Sequence, residues 1–555
     1  MATLLAITVL LPMIGALALV VAPGLDVFTA RRIALGTSLA TLAASLVLLA
    51  GFDPAVTTPQ FAYGPATGPY GVGWFTRPDI RLALGLDGLS IWVFVLTTVL
   101  TFAGVMSSWE AIKERAPLDY AFLLALETGL LGLFASLDVI LFYVFFEFAL
   151  VPLFFLIGLW GGPDRNRASV YFFLYTLAGS LLTLLGVIAL VVVHQQYSPG
   201  HHLTFSIPEL TLGLSKLEWS EWYRIDSWSN PQVFIFLLLF AGFAIKVPVF
   251  PFHTWLPLAH VEAPTAGSIL LAGVLLKVGS YGLLRFNMGM TPLGAVALFP
   301  MLATLAVVGI IYGALTALAQ TDMKRLVAYS SVSHMGFILL GMLAMNDVGM
   351  NGAVIHMLNH GLTTGALFAC VGVLYERYHT RSMSEIGGTW NRMPLFAFFF
   401  IYTSLASAAL PGLCGFIGEF PILVGMFAQS PRAAAFASSG MILGAFYLLL
   451  MMRRVVFGPL VEPVPHGDGH GHAEIRPLGW HEIAGLGTLS ALILFIGIFP
   501  EPFFARIRPA VATLNQNLQA QRAAIQPAPE PELGTARGVL TTTPGSAAVR
   551  PVNPR

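Results

Sequence analysis

Residues 243–257 read FAIKVPVFPFHTWLP, an apolar stretch that contains one lysine, Lys246, and three prolines. Pro248, Pro251 and Pro257 have no N–H group to donate, so a helix in this region must be interrupted or unwound. The break lies directly beside the lysine. The stretch therefore predicts a helix that is broken close to a buried positive charge.

A second stretch, ALPGLCGFIGEF at residues 409–420, has the same character with the opposite charge. Pro411 and three glycines weaken its helix, and Glu419 lies beside the weakened part. Paired interrupted helices with ionisable residues at the break are typical of membrane repeats that form an ion site near the bilayer midplane. We therefore expect two repeats, each with one interrupted helix.

The composition indicates a polytopic membrane protein. Of the 555 residues, 56% are hydrophobic and 10% are charged, and the mean hydropathy is +0.79. Soluble domains carry about 25% charged residues. Uncharged runs such as residues 168–193 and 292–320 exceed the ~20 residues that a helix needs to cross a bilayer. Each span must be helical, because a single segment in lipid has to satisfy its own backbone hydrogen bonds.

Charge, cysteine content and motifs argue against several functional classes. The formal net charge is zero, so the chain lacks the excess of basic residues that is typical of nucleic-acid-binding proteins. Cys370 and Cys414 lie in apolar segments and predict neither a disulfide framework nor a thiolate metal centre. His253 and His260 have no third ligand at a spacing that suits zinc, and we predict no metal site. The chain has no cysteine cluster for iron–sulfur, no Walker loop and no nucleotide-binding glycine fingerprint, so we also expect no redox chemistry in it.

We predict an all-α polytopic membrane protein with 14 transmembrane helices. The two breaks are five spans apart, so helices 4–8 and 9–13 form two five-helix repeats, and the odd number of spans makes their topologies inverted. The predicted domains are residues 1–117 (helices 1–3), 118–287 (first repeat, helices 4–8), 292–457 (second repeat, helices 9–13), 458–505 (inner His-rich loop and helix 14) and 506–555 (a Pro- and Ala-rich outer tail, largely disordered).

Lysine and arginine in the loops set the predicted orientation, because cytoplasmic loops carry an excess of basic residues. Alternating the sides from span to span places 14 basic loop residues, among them Lys324, on one side and six on the other side before the tail. We therefore expect both termini on the outer, periplasmic side of a bacterial inner membrane. The segment PHGDGHGHAEI at residues 465–475 then falls in an inner loop, where we interpret its histidines as hydrated.

A few ionisable residues lie inside the predicted spans. Glu147 is in VFFEFALVP at residues 144–152, and Lys277 is in AGVLLKVGSYG at residues 272–282. A charge at the centre of a transmembrane helix costs roughly 2.5–3.5 kcal/mol, so we interpret both residues as functional. A purely structural pair of Glu147 with Lys246 is the alternative, but buried ion pairs are poor stabilisers.

Histidines add further titratable groups. His334 lies in YSSVSHMGF, and His356 and His360 are spaced i, i+4 on one helix face. His334 and His360 either pass protons or simply hydrogen-bond in a polar helix contact, whereas we interpret His356 and Glu127 as packing groups. Burial favours the neutral form of such groups and a nearby opposite charge favours the charged form. A chain of them on adjacent helices can therefore pass protons in steps.

Four stretches together resemble the proton-antiporter-like core that respiratory complex I (NADH:quinone oxidoreductase) shares with Mrp-type antiporters. Glutamate at position 419 resembles the M-type members of this family, because the L- and N-type members usually carry lysine there. The resemblance covers about residues 85–460, and the four stretches are IKVPVFPFHTWLPLAHVEAPTAGSILLAGVLLKVGSYGLLRF at residues 245–286, DMKRLVAYSSVSHMGF at 322–337, FFEFALVPLFFLIGLWGG at 145–162 and LPGLCGFIGEFPIL at 410–423.

The resemblance implies a function and a set of residues that carry it. The chain would translocate protons, driven by quinone reduction elsewhere in the complex. FMN, iron–sulfur clusters and quinone would belong to partner subunits, so this chain would hold no cofactor and would not bind NADH. Its neighbours in the membrane arm would be L- and N-type subunits. The implied proton relay comprises a coupling pair, a central carrier and an exit half: Glu147 with Lys246, then Lys277, then His334, His360 and Glu419.

Three other functions stay open at this point. The chain can be a subunit of an Mrp-type cation/proton antiporter powered by an ion gradient, or a membrane subunit of a proton-pumping hydrogenase. It can also be a structural membrane scaffold. The scaffold hypothesis predicts that Glu147→Gln leaves pumping intact and perturbs assembly.

Overall fold

The computed structural model describes residues 1–22, 24–64, 69–197, 201–215, 230–463 and 475–525. Most of this part is helical, and one antiparallel hairpin joins β1 (Val72–Thr76) to β2 (Asp79–Leu82). The first eleven helices are α1 (Ala2–Val21), α2 (Val27–Ala50), α3 (Ile91–Ala111), α4 (Ala116–Ala135), α5 (Val139–Phe148), α6 (Leu150–Trp160), α7 (Arg165–Tyr197), α8 (Ile207–Ser215), α9 (Pro231–Lys246), α10 (Trp255–Glu262) and α11 (Thr265–Leu270). The next eleven are α12 (Leu276–Gly282), α13 (Pro292–Ala297), α14 (Phe299–Leu318), α15 (Met323–Leu343), α16 (Asp347–Tyr378), α17 (Thr389–Arg392), α18 (Pro394–Ser407), α19 (Cys414–Gln429), α20 (Pro431–Val455), α21 (Trp480–Ile498) and α22 (Glu501–Ile525).

Within the described residues, 12 helices are long and apolar enough to cross a membrane. Three shorter apolar helices, α9, α18 and α19, lie between them in the chain. The prediction of a mostly helical membrane protein is confirmed. The count of 14 spans, the inverted repeats and the domain boundaries stay predictions, since two of the predicted spans are built from short helices on either side of a break.

The first break separates α9 from α10 at residues 247–254. The backbone N–H of Val249 bonds to Ala244 O (2.9 Å), so the carbonyl of Ile245 receives no helical partner from it. The indole N–H of Trp255, the first residue of α10, donates to Ile245 O at 2.8 Å instead. At the proline-rich break, a tryptophan side chain therefore supplies the hydrogen bond that a backbone carbonyl at the C-terminal end of α9 would otherwise lack.

The second break separates α18 from α19 at residues 408–413. Gly412 has φ = +92° with no atom near its missing Cβ, a backbone conformation that favours glycine. The amide of Asn359 in α16 donates to Cys414 O at 2.7 Å, which fixes the start of α19. Both of the interruptions predicted from proline and glycine are present.

The most enclosed helices form the centre of the bundle. Helices α3, α15, α16 and the segment Thr265–Met288 are surrounded by other helices, whereas α1, α2, α7 and α20 keep much of their apolar surface exposed. Polar side chains on the enclosed helices therefore face protein and not the apolar exterior. This arrangement suits a polar pathway through a membrane protein.

The predicted tail, residues 506–555, begins within a helix, because α22 continues to Ile525. That the tail as a whole is largely disordered stays a prediction. Ile507, Val511, Leu514 and Leu518 are all buried. Their spacing is that of one helix face, so the tail carries an apolar stripe that a low overall hydrophobicity conceals. Residues 526–555 and residues 464–474 of the His-rich loop lie outside the described residues, and so do the predictions made for them.

Candidate functional site

Lys246 and Glu147 lie close together at the first break. Lys246 is the last residue of α9 and is 1% exposed. Its ammonium donates to Phe146 O at 3.5 Å and lies 3.2 Å from the centre of the Phe146 ring, a cation–π contact. Glu147 has a buried Oε1 atom without a hydrogen-bond partner. Both residues are described, and no direct ion pair joins them, although their charges attract each other.

Lys277 lies in α12, between two π-helical segments at Leu271–Leu275 and Leu283–Met288. It is fully buried, and its ammonium donates to Ala272 O at 2.7 Å. The same nitrogen is 2.7 Å from Nδ1 of His360. π-Helical turns are rare and frequently occur at functional sites. The lysine thus shares a hydrogen bond with a second group that can hold a proton.

Glu419 lies between two histidines at the second break. Nδ1 of His334 is 2.8 Å from Glu419 Oε1, and Nε2 of His356 is 3.6 Å from the same oxygen. The other nitrogen of His334 is 3.4 Å from the hydroxyl of Ser407. All three ionisable side chains are buried, with 2–6% exposure. Helices α15, α16 and α19 each supply one of them.

The ring of His360 connects Lys277 to this cluster. The ring centres of His334 and His360 are 5.4 Å apart. Lys277, His360, His334 and Glu419 therefore form one buried line, and each group is next to one that can accept or give up a proton. Nε2 of His360 is buried without a partner, which leaves one ring position available for a second hydrogen bond.

The donor set at Glu419 also resembles a metal site in its ligand types. The nearest ligand atoms of His334, His356 and Glu419 all lie within 4.8 Å of one another. Two histidines and a carboxylate are ligands that zinc accepts. The hydrogen bond between His334 and Glu419 already satisfies two of these ligand atoms, so the cluster needs no ion to explain its geometry.

Lys246 and Lys277 are separated by apolar packing. A Cβ atom on Gly279 would lie 2.8 Å from the backbone N of Val247, and a Cβ on Gly282 would lie 2.3 Å from the ring of Phe243. Helices α9 and α12 thus approach closely, and no hydrogen bond joins the two lysines, both of which are described. The six predicted residues therefore form two groups: Glu147 with Lys246, and Lys277 with His360, His334 and Glu419.

Two histidines of this region were not predicted as site residues. His356, interpreted as a packing group, contacts Glu419, and its i, i+4 spacing to His360 was the signal that could have assigned it. His260 is 0% exposed, and neither of its ring nitrogens has a hydrogen-bond partner. Its ring stacks on Phe368 with 4.6 Å between the ring centres. Glu127 is also fully buried, with both oxygens unpartnered.

Lys324 is counted above among the loop charges, and the structure corrects this prediction. We placed it in a loop, but it lies in the first turn of α15 and is 8% exposed. Its ammonium donates to Val261 O at 3.4 Å and to Ala263 O. These carbonyls lie at the C-terminal end of α10, which attracts positive charge. A lysine beside Arg325 in the sequence gives no sign of this tertiary contact.

The family profile described as "NADH:quinone oxidoreductase/Mrp antiporter, TM" matches residues 136–462. The chain is 42% identical to NADH-quinone oxidoreductase subunit M of Rhodobacter capsulatus over 525 residues, which cover 94% of this chain and 98% of that relative. It is similar to a chain of respiratory complex I from Thermus thermophilus with bound NADH, with a TM-score of 0.77 at 30% identity over 93% of this chain and 99% of that chain.

A further solved structure shares the fold. A chain of the Mrp complex from Dietzia sp. DQ12-45-1b has a TM-score of 0.75 at 23% identity, over 94% of this chain and 55% of that one. The matched profile includes both breaks and all six predicted site residues. The chain belongs to the NADH:quinone oxidoreductase/Mrp antiporter family, as a member of its subunit M group.

Proposed function

We propose that this chain carries protons across the membrane as an M-type subunit of NADH:quinone oxidoreductase, while the redox chemistry takes place in other subunits. The observation that carries the proposal is the buried line of Lys277, His360, His334 and Glu419. Charges in a membrane interior are costly. Four titratable groups that lie next to one another in space, on enclosed helices, suit proton transfer better than structural pairing.

Within this line each group exchanges a proton with its neighbour. Lys277 releases a proton to Nδ1 of His360, and the lysine then keeps its hydrogen bond to the ring as a neutral amine. His334 receives a proton from the side of His360 and passes it to the carboxylate of Glu419, with which it is already hydrogen-bonded. A water molecule can bridge the two rings, whose centres are 5.4 Å apart.

Glu147 and Lys246 act as the coupling pair in this proposal. Lys246 is held by the carbonyl and the ring of Phe146, so the carboxylate of Glu147 can change its distance or charge without breaking a salt bridge. Losing the nearby negative charge makes the ammonium less stable. A change at Glu147 would then alter whether Lys246 is protonated. The charge of Lys246 would act on Lys277 through space.

We further propose 14 transmembrane helices with two inverted five-helix repeats. Support comes from the two interrupted regions, where α9 with α10 and α18 with α19 would each make one span in addition to the 12 continuous ones. The excess of basic loop residues supports an orientation with both termini on the outer side of a bacterial inner membrane. L- and N-type subunits are the proposed neighbours, and FMN, iron–sulfur clusters and quinone are proposed to lie in partner subunits.

An Mrp-type antiporter subunit is the second candidate function, because the fold is shared with the Mrp complex at a TM-score of 0.75. The complex I assignment is better supported, by 42% identity over nearly the full length of a subunit M. Purification separates the two. We expect the chain, extracted in mild detergent, to co-purify with flavin- and iron–sulfur-containing subunits. Isolation with other antiporter-like membrane subunits and without any redox centre would reject the complex I assignment.

A further inference from the structure

A small polar cavity lies away from the relay, where the C-terminal parts of α3 and α16 meet the beginnings of α11 and α21. Its volume is about 10 Å³, which is close to the least space that one water molecule needs. The polar side chains that line it are those of Ser107, Thr265, Glu376, His481 and Glu482. A water molecule at this place would have several hydrogen-bonding partners, which is the second requirement for a buried water.

Only one of the two carboxylates in the lining is already neutralised. Glu482 forms a two-pronged ion pair with Arg377, with N–O distances of 2.7 and 2.8 Å. Glu376 is half-buried and forms no ion pair or hydrogen bond with any described residue. The charged groups around it are Glu482 and Arg377, together with Glu110 and Lys113. Glu376 is therefore the carboxylate of the cavity that can take up and release a proton.

His481 lines the cavity and lies beside a surface carboxylate. Its Nδ1 donates to Met106 O at 3.1 Å, which leaves Nε2 facing Glu110 Oε1 at 3.7 Å. The side chain of Glu110 is 56% exposed, whereas that of His481 is 3% exposed. The buried imidazole of His481 thus lies next to a carboxylate that is open to solvent, at the edge of the cavity that both His481 and Glu376 line.

The cavity also lies close to His260. Ala369 lines the cavity, and its neighbour Phe368 carries the stacked ring of His260. Both nitrogens of His260 are buried and without a partner, and the charged groups that act on its ring are those of Lys324 and Lys277. A fully buried imidazole with two unpaired nitrogens costs free energy, and His260 combines this cost with contacts near the cavity and with the influence of the Lys277 charge.

We propose that this cavity is the port through which protons from the inner aqueous phase reach Lys277, with Glu376 as the collecting carboxylate. A proton binds to the Glu376 carboxylate, passes to a water held by Ser107 and Thr265, and is handed to a free nitrogen of His260. The other nitrogen of that ring then releases a proton toward Lys277. The proposal rests on the proposed function and on its membrane orientation, in which Arg377 and Lys113 lie on the inner side.

The first test fills the cavity with a methyl group. Gly485 lines the cavity, and a Cβ atom there would have its nearest neighbours at 3.4 Å (Met106 Cβ) and 3.8 Å (Ala103 O), so Gly485→Ala fits without a clash. Gly487 lies on the same helix with nothing within 4 Å of its Cβ position, and Gly487→Ala is the matched control. We expect Gly485→Ala to slow proton translocation by the intact complex in membrane vesicles, and Gly487→Ala to leave it unchanged.

The second test removes the carboxylate. Glu376→Gln should lower proton translocation roughly tenfold, a modest share of the ~10²–10⁴-fold that positioned proton transfer contributes. Glu376→Asp should restore most of it, which a purely structural role would not predict. Glu114→Gln, an exposed carboxylate outside the cavity, is the control.

If Gly485→Ala and Glu376→Gln both pump at the wild-type rate, and Lys277→Met still stops translocation, the proposed port is overturned. If Lys277→Met also pumps normally, the proposed function fails and not merely the port. If Glu376→Gln does not assemble, Gly485→Ala decides alone, because its added methyl group meets only ordinary van der Waals contacts.

Discussion

The ammonium of Lys277 and Nδ1 of His360 are 2.7 Å apart in a part of the bundle where both side chains are at most 1% exposed. A lysine in such a place is shielded from the bulk solvent, and the histidine and the carbonyl of Ala272 are its immediate polar partners. Because either group can hold the shared proton, a small change in the surrounding charge decides which one does. The contact is thus suited to passing a proton and not only to burying one.

Replacing His360 should interrupt the line between Lys277 and His334. We expect His360→Ala to lower proton translocation by about 10²-fold, since positioned proton transfer contributes ~10²–10⁴-fold. The measurement is proton uptake by membrane vesicles that contain the assembled complex. His379→Ala is the matched control, because His379 lies at the exposed C-terminal end of the same helix. Undiminished pumping in His360→Ala would place the proton path elsewhere.

Two substitutions at Glu419 separate titration from charge sign. Glu419→Gln keeps the shape but cannot titrate, and we expect it to stop most proton translocation. Glu419→Lys should be partly tolerated, because this position in the proton relay needs a titratable group. The nearby rings of His334 and His356 also offer nitrogen acceptors. Both variants are compared by quinone-linked pumping at equal amounts of assembled complex. Zero turnover of a fully assembled Glu419→Lys complex would instead show that a negative charge is required.

The first break offers a test of the coupling pair. Lys246→Ala should abolish or sharply reduce quinone-linked pumping while the complex still assembles, because the group that responds to Glu147 is gone. Glu147→Gln should have the same effect on pumping. A structural scaffold would behave differently, with intact pumping per assembled complex and a lower yield of assembly for Glu147→Gln.

Helix α22 should contribute to stability, since it packs along the bundle. Gln519 donates to Met345 O at 2.7 Å, and Leu518 is fully buried beside it. Leu518→Ala should cost about 2–5 kcal/mol, as is usual for a buried leucine. The temperature at which the purified complex loses its structure measures this loss. Gln516→Ala, on the exposed face, is the control, and equal stability of the two variants would mean that the helix is not held by this apolar stripe.

Proline and glycine made the breaks predictable, because their backbone restrictions act locally. The three prolines after Lys246 and the glycines around Glu419 identify interruptions that are present at residues 247–254 and 408–413. The intramembrane charges were equally visible, since a lysine or glutamate in an apolar helix is unfavourable wherever it packs. These features need no knowledge of the tertiary fold.

Contacts between distant helices could not be predicted in the same way. His356 meets Glu419 across α16 and α19, and Lys324 reaches the end of α10, and each of these partners lies more than 60 residues away in the sequence. The helical part of the tail is not evident from the sequence because the four large apolar residues in the 12 positions at 507–518 are few, and only their common burial reveals the stripe. Side-chain partners depend on which helix faces pack together, and periodicity alone does not fix that.

The most direct test of the central claim is proton translocation by the assembled complex with Lys277→Met. Methionine is close to lysine in length, and Lys277 forms no ion pair with any described residue, so its replacement leaves no buried charge unpaired. Assembly should therefore be preserved. Arg432→Met, at an exposed basic position, is the control. We predict that the Lys277→Met complex assembles and translocates almost no protons through this subunit. Normal proton translocation by that complex would contradict the buried relay.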